Sequence, residues 1–207
     1  MTSVVIIDDE GLVRYGFGLI LGAADDIEVV ASGNDTDALS IVAEHRPDVV
    51  LLDVRMPRIS GLDLLAGITA MPDPPAVAML TTFDAAEHLG RAMELGAAGF
   101  LLKDTDPEHL AQYVRVLAAG GVVLAPGLDR SRLFAQTSEP VAAPPLSDRG
   151  REVLRLLADG ASNPEIAVHL GVSTGTVKED VRGLLAAFGV TSRVQLALRA
   201  AAAGLLT

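Results

Sequence analysis

The polypeptide has 207 residues, of which 50% are hydrophobic and 21% are charged, so it can bury one large core or two smaller ones. It contains no run near the roughly 18 apolar residues of a membrane span, and because the apolar run from Val4 stops at Asp8 we expect no signal peptide. The sequence has no cysteine, which excludes disulfides, thiolate zinc sites and thiol catalysis, and we expect a cytoplasmic protein with no membrane partner.

The acidic residues are concentrated in the first part of the chain. The formal net charge is −11, which on average argues against binding to nucleic acid. Residues 1–122, however, hold 7 Lys and Arg against 19 Asp and Glu, whereas residues 146–207 hold 7 against 6. This asymmetry predicts two domains with different partners.

Apolar runs and helical stripes alternate along the first 119 residues. The patterns predict strands at 4–7, 27–31, 49–53, 76–80 and 99–103. They predict helices at 11–21, from 34 or 35 to 45, at 61–71, at 85–95 and at 107–119, with Asn34 or Asp35 as the cap of the second helix. Five such units indicate an α/β doubly wound domain, with a five-stranded parallel sheet covered by helices on both faces.

Polar side chains stand at the carboxyl ends of four predicted strands: Asp8 and Asp9, Asp53, Thr81 and Lys103. Because these ends open onto the ligand crevice of a parallel sheet, we expect the five side chains at one edge of the domain. Three carboxylates in a small volume need a cation, and hard oxygen ligands favour Mg²⁺ over softer metals. A lysine and a hydroxyl beside them suit a phosphoryl group.

These residues resemble the receiver domain of two-component response regulators, specifically its NarL/FixJ branch. The resemblance covers residues 4 to about 121. It rests on Asp8-Asp9, the Asp-Val-Arg-Met-Pro run at 53–57 with Gly61, Thr81, and the Leu-Leu-Lys-Asp run at 101–104. It implies a flavodoxin-like fold, and it places a receiver domain at 1–121.

The resemblance also implies a phosphoacceptor and a metal site. Asp53 would accept phosphate from a cognate sensor histidine kinase. Asp9 and Asp53 would bind Mg²⁺ directly, Asp8 would act through water, and the backbone carbonyl of Arg55 would be a further ligand. This agrees with the chemistry, because phosphoryl transfer needs positioning and charge neutralisation more than covalent machinery.

Further roles follow for residues around the phosphoryl group. By resemblance Thr81 and Lys103 would bind its oxygens, and Phe100 would turn inward when Thr81 moves. Arg55 and Phe83, two residues past the phosphoacceptor and past Thr81, are expected to overhang the group and obstruct water. We therefore expect a long-lived phosphoprotein.

The composition changes after the fifth predicted helix. A short helix is predicted at 128–136, and the Pro-rich stretch 137–145 is typical of a semi-extended linker. The linker is placed at 122–145. Beyond it the patterns predict four helices: one to about Asp159 capped by Ser147, one at 164–170 capped by Asn163, one to Phe188 capped by Ser173 or Thr174, and one that starts after Ser192. A glycine turn between the second and third of these predicts a helix-turn-helix in an all-α domain at 146–207.

The segment from Leu146 to about Ala203 resembles the LuxR-type DNA-binding domain. The resemblance implies that the third helix enters the major groove of double-stranded promoter DNA and that the fourth pairs with its counterpart in a homodimer. Lys178, Glu179 and Arg182 would contact DNA, with Thr176 in the first turn of the same helix.

Helical spacing supports this orientation of the third helix. Gly175, Glu179 and Arg182 lie opposite its apolar stripe, with Lys178 on the margin. Asp180 lies on the other flank, and we expect it to cap or pair within the protein. The acids Glu179 and Asp180 depart from the family's commonly neutral or basic pattern and are expected to weaken DNA affinity.

The combined interpretation is a transcriptional response regulator that is phosphorylated on Asp53, which promotes dimerisation and DNA binding, and that catalyses only its own phosphoryl transfer. One alternative is an orphan regulator controlled by dimerisation or a ligand without phosphorylation. Another is a phosphohydrolase with Asp53 as nucleophile, but that chemistry wants a general acid two residues later, where Arg55 stands.

Overall fold

The computed structural model describes residues 1–82, 88–124, 144–190 and 192–206, without the side chains of Leu198, Ala201 and Ala202. Its first domain contains a six-stranded parallel sheet in the order β2-β1-β3-β4-β5-β6. The strands are β1 (Thr2–Ile7), β2 (Ile27–Gly33), β3 (Val49–Asp53), β4 (Ala76–Thr81), β5 (Gly99–Leu102) and β6 (Val123–Leu124). The predicted doubly wound α/β class is confirmed.

Five helices cover the two faces of this sheet. They are α1 (Gly11–Gly22), α2 (Ala38–His45), α3 (Gly61–Thr69), α4 (Leu89–Glu94) and α5 (Pro107–Ala118). Residues of α2, α3 and α4 share one buried apolar cluster with one side of the sheet, and residues of α1 and α5 share a second cluster with the other side. The central strand β3 is buried at all five positions because it lies between both clusters.

The sheet is one strand larger than the predicted five-stranded one. Val123 and Leu124 pair in parallel with Gly99 and Phe100 of β5, and Val123 is buried. The strand is too short for a recognisable alternation of apolar and polar residues. The sheet therefore extends into residues 123–124, which the sequence pattern placed in the linker.

The start of α2 also differs from the prediction. The residue that precedes the helix is Asp37, so Asn34 and Asp35 are not its caps. Asn34 instead accepts a hydrogen bond from the backbone N–H of Thr36, at 2.9 Å. Asp35 turns away from the helix and contacts Arg58, 23 residues further along the chain.

The second domain is helical in its described residues: α6 (Asp148–Ala158), α7 (Asn163–Leu170), α8 (Thr174–Phe188) and α9 (Arg193–Ala202). Ser147 and Ser173 cap α6 and α8 as predicted. The predicted cap of α7 is wrong by one residue, because Ser162 and Glu165 form a capping box and Asn163 is the first helical residue. Gly171 adopts a left-handed conformation, φ 65°, in the turn between α7 and α8.

Two predicted helices lie partly or wholly outside the described residues. The helix at 85–95 is described from Leu89 to Glu94, and the helix at 128–136 is not described. No helix in the described part of the chain is long and apolar enough to cross a membrane.

Candidate functional site

The fold brings the predicted polar side chains to one edge of the sheet. Asp8 follows β1, Asp53 ends β3, Thr81 ends β4 and Lys103 follows β5. In the parallel register Asp53 pairs with Leu80 and Thr81 pairs with Leu102, so these ends are level. These four positions therefore lie along the crevice that the strand order creates.

Asp8, Asp9 and Asp53 form an acidic cluster. One carboxylate oxygen from each lies within 4.8 Å of the others, and Asp8 and Asp53 are buried whereas Asp9 is exposed. The Oδ2 atom of Asp8 is buried, and Lys103 Nζ lies 2.9 Å from it as an ion-pair partner. An all-oxygen donor set with a buried oxygen of this kind fits a hard divalent cation.

Lys103 lies against the same cluster. Its Nζ atom is 2.9 Å from Asp8 Oδ2 and 3.2 Å from Asp53 Oδ2, and its side chain is only 14% exposed. Glu10, which sequence reasoning did not single out, is a third carboxylate partner at 3.1 Å. The signal that could have indicated Glu10 is its position as the third acid of the run after β1. The ammonium partly neutralises the pocket, and the carboxylates still outnumber it.

Burial and mutual repulsion shift the titration of this cluster. Burial, followed by the negative charge of Asp8, raises the pKa of Asp53 to about 6, while Lys103 opposes that shift. Burial also raises the pKa of Asp8. Burial lowers the pKa of Lys103, but its carboxylate partners outweigh that effect and raise the pKa above its usual value. Lys103 is therefore a permanent cation, and Asp53 is a carboxylate at neutral pH.

The loop after β3 is in contact with the Asp53 carboxylate. The backbone of Arg55 hydrogen bonds to that carboxylate, and the backbone N–H of Gly61 donates to the Val54 carbonyl at 3.0 Å. A side chain at Gly61 would place its Cβ 2.0 Å from the backbone oxygen of Asp53. This close approach explains why a glycine starts α3.

Thr81 ends β4, and Phe100, which was expected to turn inward when Thr81 moves, is already buried. The Thr81 hydroxyl donates to the Thr82 carbonyl at 2.9 Å. The Phe100 ring is fully buried, in the apolar cluster that includes Leu89 and Met93 of α4. A rotation from outside to inside is therefore not open to Phe100 from this arrangement. The other expected member of the region, Phe83, lies outside the described residues.

The predicted DNA-contacting residues share the outer face of α8. Lys178, Glu179 and Arg182 are exposed, and Thr176 is half-buried with its backbone N–H donating to Ser173 Oγ at 3.1 Å. The apolar stripe of α8 packs into the core of the second domain, as expected; its buried members are Val177, Val181, Leu184 and Phe188.

Asp180 and Arg182 have protein partners. Asp180 Oδ2 accepts two hydrogen bonds from the Arg149 guanidinium, at 2.6 and 2.9 Å, which confirms the predicted pairing within the protein. Arg182 Nη2 lies 3.0 Å from Asp73 Oδ1, which belongs to the first domain. Arg182, one of the predicted DNA-contacting residues, is therefore paired with a residue of the first domain.

Arg193, at the start of α9, joins the two domains. Its guanidinium donates to the carbonyl oxygens of Gly120 and Ala161, the latter at 2.6 Å, and burial lowers its pKa to about 10. The next residue, Val194, is 9% exposed and belongs to the apolar cluster that contains α4. No sequence pattern pointed to Arg193, because two of its acceptors are backbone carbonyls and the third, Asn163 Oδ1, lies 30 residues away along the chain.

Both parts of the chain match known families. Residues 4–115 match the family model described as response regulator receiver domain, and residues 144–200 match the one described as bacterial regulatory proteins, luxR family. The nitrate/nitrite response regulator protein homolog of Haemophilus influenzae is 38% identical over 193 residues, which cover 93% of this chain and 92% of that protein.

Solved structures give the same result. The crystal structure of the response regulator ChrA of a heme-sensing two-component system is 34% identical with a TM-score of 0.55, and the match covers 99% of this chain and 98% of that chain. A structure of two RcsB dimers bound to two parallel DNAs is 25% identical with a TM-score of 0.56, and covers 97% and 98%. The chain thus belongs to the transcriptional response regulators of two-component systems that join a receiver domain to a LuxR-type DNA-binding domain.

Proposed function

We propose that Asp53 accepts a phosphoryl group from a sensor histidine kinase and that the modified chain dimerises on promoter DNA. The observation that carries this proposal is the buried Asp53 carboxylate, 3.2 Å from Lys103 Nζ and within an acidic cluster. The in-line transfer breaks the phosphorus–nitrogen bond of a phosphohistidine and forms a bond to a carboxylate oxygen of Asp53. That oxygen must be unprotonated, which its pKa of about 6 allows at neutral pH.

The residues around Asp53 fit the needs of this transfer. Lys103 supplies a fixed positive charge for a phosphoryl oxygen, and Thr81 can supply a hydroxyl after leaving the Thr82 carbonyl. Asp8, Asp9 and Asp53, with the carbonyl of Arg55, would hold Mg²⁺. When bound, Mg²⁺ neutralises the charge that develops on the phosphoryl oxygens.

An exposed apolar stripe on α1 is the proposed docking surface for the kinase. Leu12, Tyr15 and Leu19 recur at helical spacing and are 83%, 66% and 60% exposed. Because α1 begins at Gly11, directly after the acidic run, a partner bound to this stripe would reach Asp53. Tyr15→Glu should block transfer from a cognate kinase and leave phosphorylation by acetyl phosphate unchanged.

The contacts between the domains support a role for phosphorylation in releasing the second domain. α8 is engaged through Arg182 and Asp73, and α9 through Arg193 and Val194. Movement around Thr81 on phosphorylation would disturb α4, whose residues share an apolar cluster with Val194. The freed α9 would pair in a homodimer, and α8 would read the major groove. The RcsB dimers bound to DNA support this final state.

Treatment with acetyl phosphate and Mg²⁺, followed by intact mass measurement, tests the phosphoacceptor. We expect one stable phosphate on the wild type and on Asp25→Asn, which removes an exposed acid away from the cluster, and none on Asp53→Asn. Continuous release of free phosphate would favour the phosphohydrolase, and no reaction would favour the orphan regulator.

Selection of DNA sequences with and without phosphorylation tests the proposed output. Phosphorylated wild type should enrich a two-fold symmetric site, because a homodimer reads two half-sites. Asp53→Asn treated in the same way should enrich it no better than the untreated protein. Equal enrichment by all samples would contradict control by phosphorylation.

A further inference from the structure

Asp35 forms a buried anchor between two loops. Its Oδ2 atom accepts hydrogen bonds from the backbone N–H groups of Arg58 and Ile59, at 2.9 and 3.0 Å. Its Oδ1 atom accepts from Arg58 Nη2 at 2.6 Å, and Arg58 Nε adds a contact at 3.2 Å. Asp35 lies between β2 and α2, whereas Arg58 and Ile59 lie between β3 and α3.

The two side chains of this contact differ in their exposure to solvent. The Asp35 side chain is fully buried, whereas the Arg58 side chain is 58% exposed. The hydrogen bonds from Arg58, helped by the backbone N–H groups, hold the pKa of Asp35 well below its usual range. Asp35 therefore stays ionised under the conditions in which the protein works, and its four contacts persist.

The anchored loop is the one that touches the phosphoacceptor. Residues 54–60 connect Asp53 to α3, and the backbone of Arg55 hydrogen bonds to the Asp53 carboxylate. The far end is pinned by Gly61, whose N–H donates to the Val54 carbonyl. Between these points the contacts of Arg58 and Ile59 with Asp35 hold the middle of the loop.

We infer that Asp35 is a positioning residue for the cation site, because it holds in place the 54–60 loop, which contacts the Asp53 carboxylate through the backbone of Arg55 and carries the Arg55 carbonyl proposed as a ligand. The inference rests on the proposed function, since the carbonyl matters only if a cation binds there. Loss of a group that orients a metal ligand without binding the metal itself typically lowers metal affinity by about 10–100-fold. Two of the Asp35 contacts are to backbone N–H groups, so the anchor holds the backbone of the loop itself.

Titration of the full-length chain with Mg²⁺ by isothermal calorimetry tests this inference. Asp35→Asn keeps the size of the side chain but removes its charge and replaces the oxygen that accepts from Arg58 Nη2 with an NH2 group, so we expect it to weaken Mg²⁺ binding by about tenfold. The matched control is Asp37→Asn, which removes the same charge from the same loop at an exposed position. The control should bind Mg²⁺ within about twofold of wild type, because exposed charges are screened.

Arg58→Ala is a second test variant, and it removes a positive charge where Asp35→Asn removes a negative one. Loss of a positive charge near the cluster would by itself strengthen cation binding, so weaker binding would report displacement of the loop. We expect Arg58→Ala to weaken Mg²⁺ binding by about two- to threefold, less than Asp35→Asn, because the Asp35 carboxylate remains as a charged acceptor for the two backbone N–H groups. Its side chain is mostly exposed, so the variant should fold.

The outcomes separate the inference from the proposed function. If the wild type neither binds Mg²⁺ nor accepts phosphate, the proposed function fails. If the wild type does both, and Asp35→Asn binds Mg²⁺ as tightly or Asp37→Asn binds it as weakly, the positioning role is overturned. If Asp35→Asn does not fold, Arg58→Ala decides: weaker binding supports the anchor, and unchanged or tighter binding overturns it.

Discussion

Asp53 lies where burial and the charge of Asp8 oppose ionisation, which gives its substitution a pH-dependent effect on stability. Its pKa is about 6 in the folded chain and 3.8 in the absence of these effects. The folded state therefore binds the proton more tightly, so the free energy of unfolding falls as pH rises from about 4 to about 6. Above that window the full cost of the buried carboxylate is present.

We expect Asp53→Asn to raise the melting temperature by a few degrees at pH 7.5 in buffer without Mg²⁺. The amide cannot ionise, so it avoids the electrostatic cost that the carboxylate carries at this pH. The advantage should disappear near pH 4, where Asp53 itself is protonated. Calorimetric melting of both proteins across this range checks the prediction, and an advantage independent of pH would show that shape or packing is responsible.

Arg55 and Phe83 are the two residues expected to shield a phosphoryl group on Asp53 from water, and only Arg55 is among the described residues. It stands two residues past Asp53, is exposed, and its backbone hydrogen bonds to the Asp53 carboxylate. We expect the phosphoryl group of Arg55→Ala to decay several-fold faster than that of wild type, because in-line approach of water is less obstructed. Time-resolved intact mass measurement provides the rate. Equal decay rates would remove Arg55 as a shield.

Individual residues were predictable where their position in an element determined their surroundings. Asp8, Asp53, Thr81 and Lys103 follow apolar strands, and a parallel sheet gathers such positions at one edge. Asp35 was misassigned as a helix cap, because its local sequence fits a cap and its real partner, Arg58, is 23 residues away. The sequence around a residue gives no information about its contacts with a distant loop.

At the scale of elements, the packing of α3 against the end of β3 limits the residue at position 61. A Cβ there would lie 2.0 Å from Asp53 O and 2.9 Å from Val54 Cα, and backbone atoms cannot move aside cheaply. We expect Gly61→Ala to lower the free energy of unfolding by about 1–3 kcal/mol. It should also slow phosphorylation, because the strain falls on the backbone of the phosphoacceptor.

Gly16→Ala is the matched control for this substitution. Gly16 lies inside α1, where an added Cβ meets no described atom within 4 Å. The control should raise stability by up to about 1 kcal/mol, since alanine is the better helix former. Chemical denaturation of both variants measures the two effects, and a Gly61→Ala protein as stable as wild type would mean that the helix can shift away from β3.

The exposed face of α8 makes a prediction about DNA specificity. Arg182→Ala should cost about 1–3 kcal/mol of binding and relax the preference at one base position, because an arginine can donate to guanine O6 and N7. Glu179→Ala should strengthen non-specific binding and lose discrimination at a C·G pair, since a carboxylate can accept from cytosine N4. Competitive binding to a randomised half-site measures both. An unchanged selected sequence for Glu179→Ala would make Glu179 ordinary surface charge.

Elements with a full apolar pattern were predicted with nearly correct bounds, and short or boundary elements were not. β3 was predicted at its observed bounds because it is apolar throughout and buried on both faces. β6 was missed because two residues carry no periodicity. The first residue of α7 was misplaced because Asn163-Pro164 and Ser162 are both good starts, and Glu165 favours Ser162 through the capping box.

In the whole molecule, the contacts between domains differ greatly in their expected contribution. The pair of Arg182 with Asp73 is 73% and 84% exposed at its two side chains, and exposed pairs of this kind contribute about 0–1 kcal/mol. It cannot hold the domains together alone. Arg193 is buried and donates to the Gly120 carbonyl, and buried hydrogen bonds to charged groups contribute about 1.5–3 kcal/mol. The stronger of these two contacts between the domains is therefore the one made by α9.

The existence of two domains followed from the uneven distribution of charge, but their contact did not. The acidic receiver and the nearly neutral DNA-binding domain were separable by counting residues. The contact uses the carbonyl of Gly120, the N–H of Asn163, which donates to the Ala119 carbonyl, and the apolar side chain of Val194. Backbone groups occur at every position, so they leave no mark in a sequence.

Gly120→Ala should open this interface in the unphosphorylated protein. Gly120 has a φ of +78°, and an added Cβ would lie 2.7 Å from Asn163 Nδ2, beside the carbonyl that Arg193 binds. Gly160→Ala is the matched control, because its φ of +92° imposes similar left-handed strain while its Cβ would meet no described atom within 4 Å. We expect sedimentation velocity to show more dimer, and small-angle scattering a larger radius of gyration, for Gly120→Ala than for the control. If both variants remain as compact and monomeric as the unphosphorylated wild type, the contact at Gly120 does not restrain α9, and release of the second domain must depend on another part of the receiver.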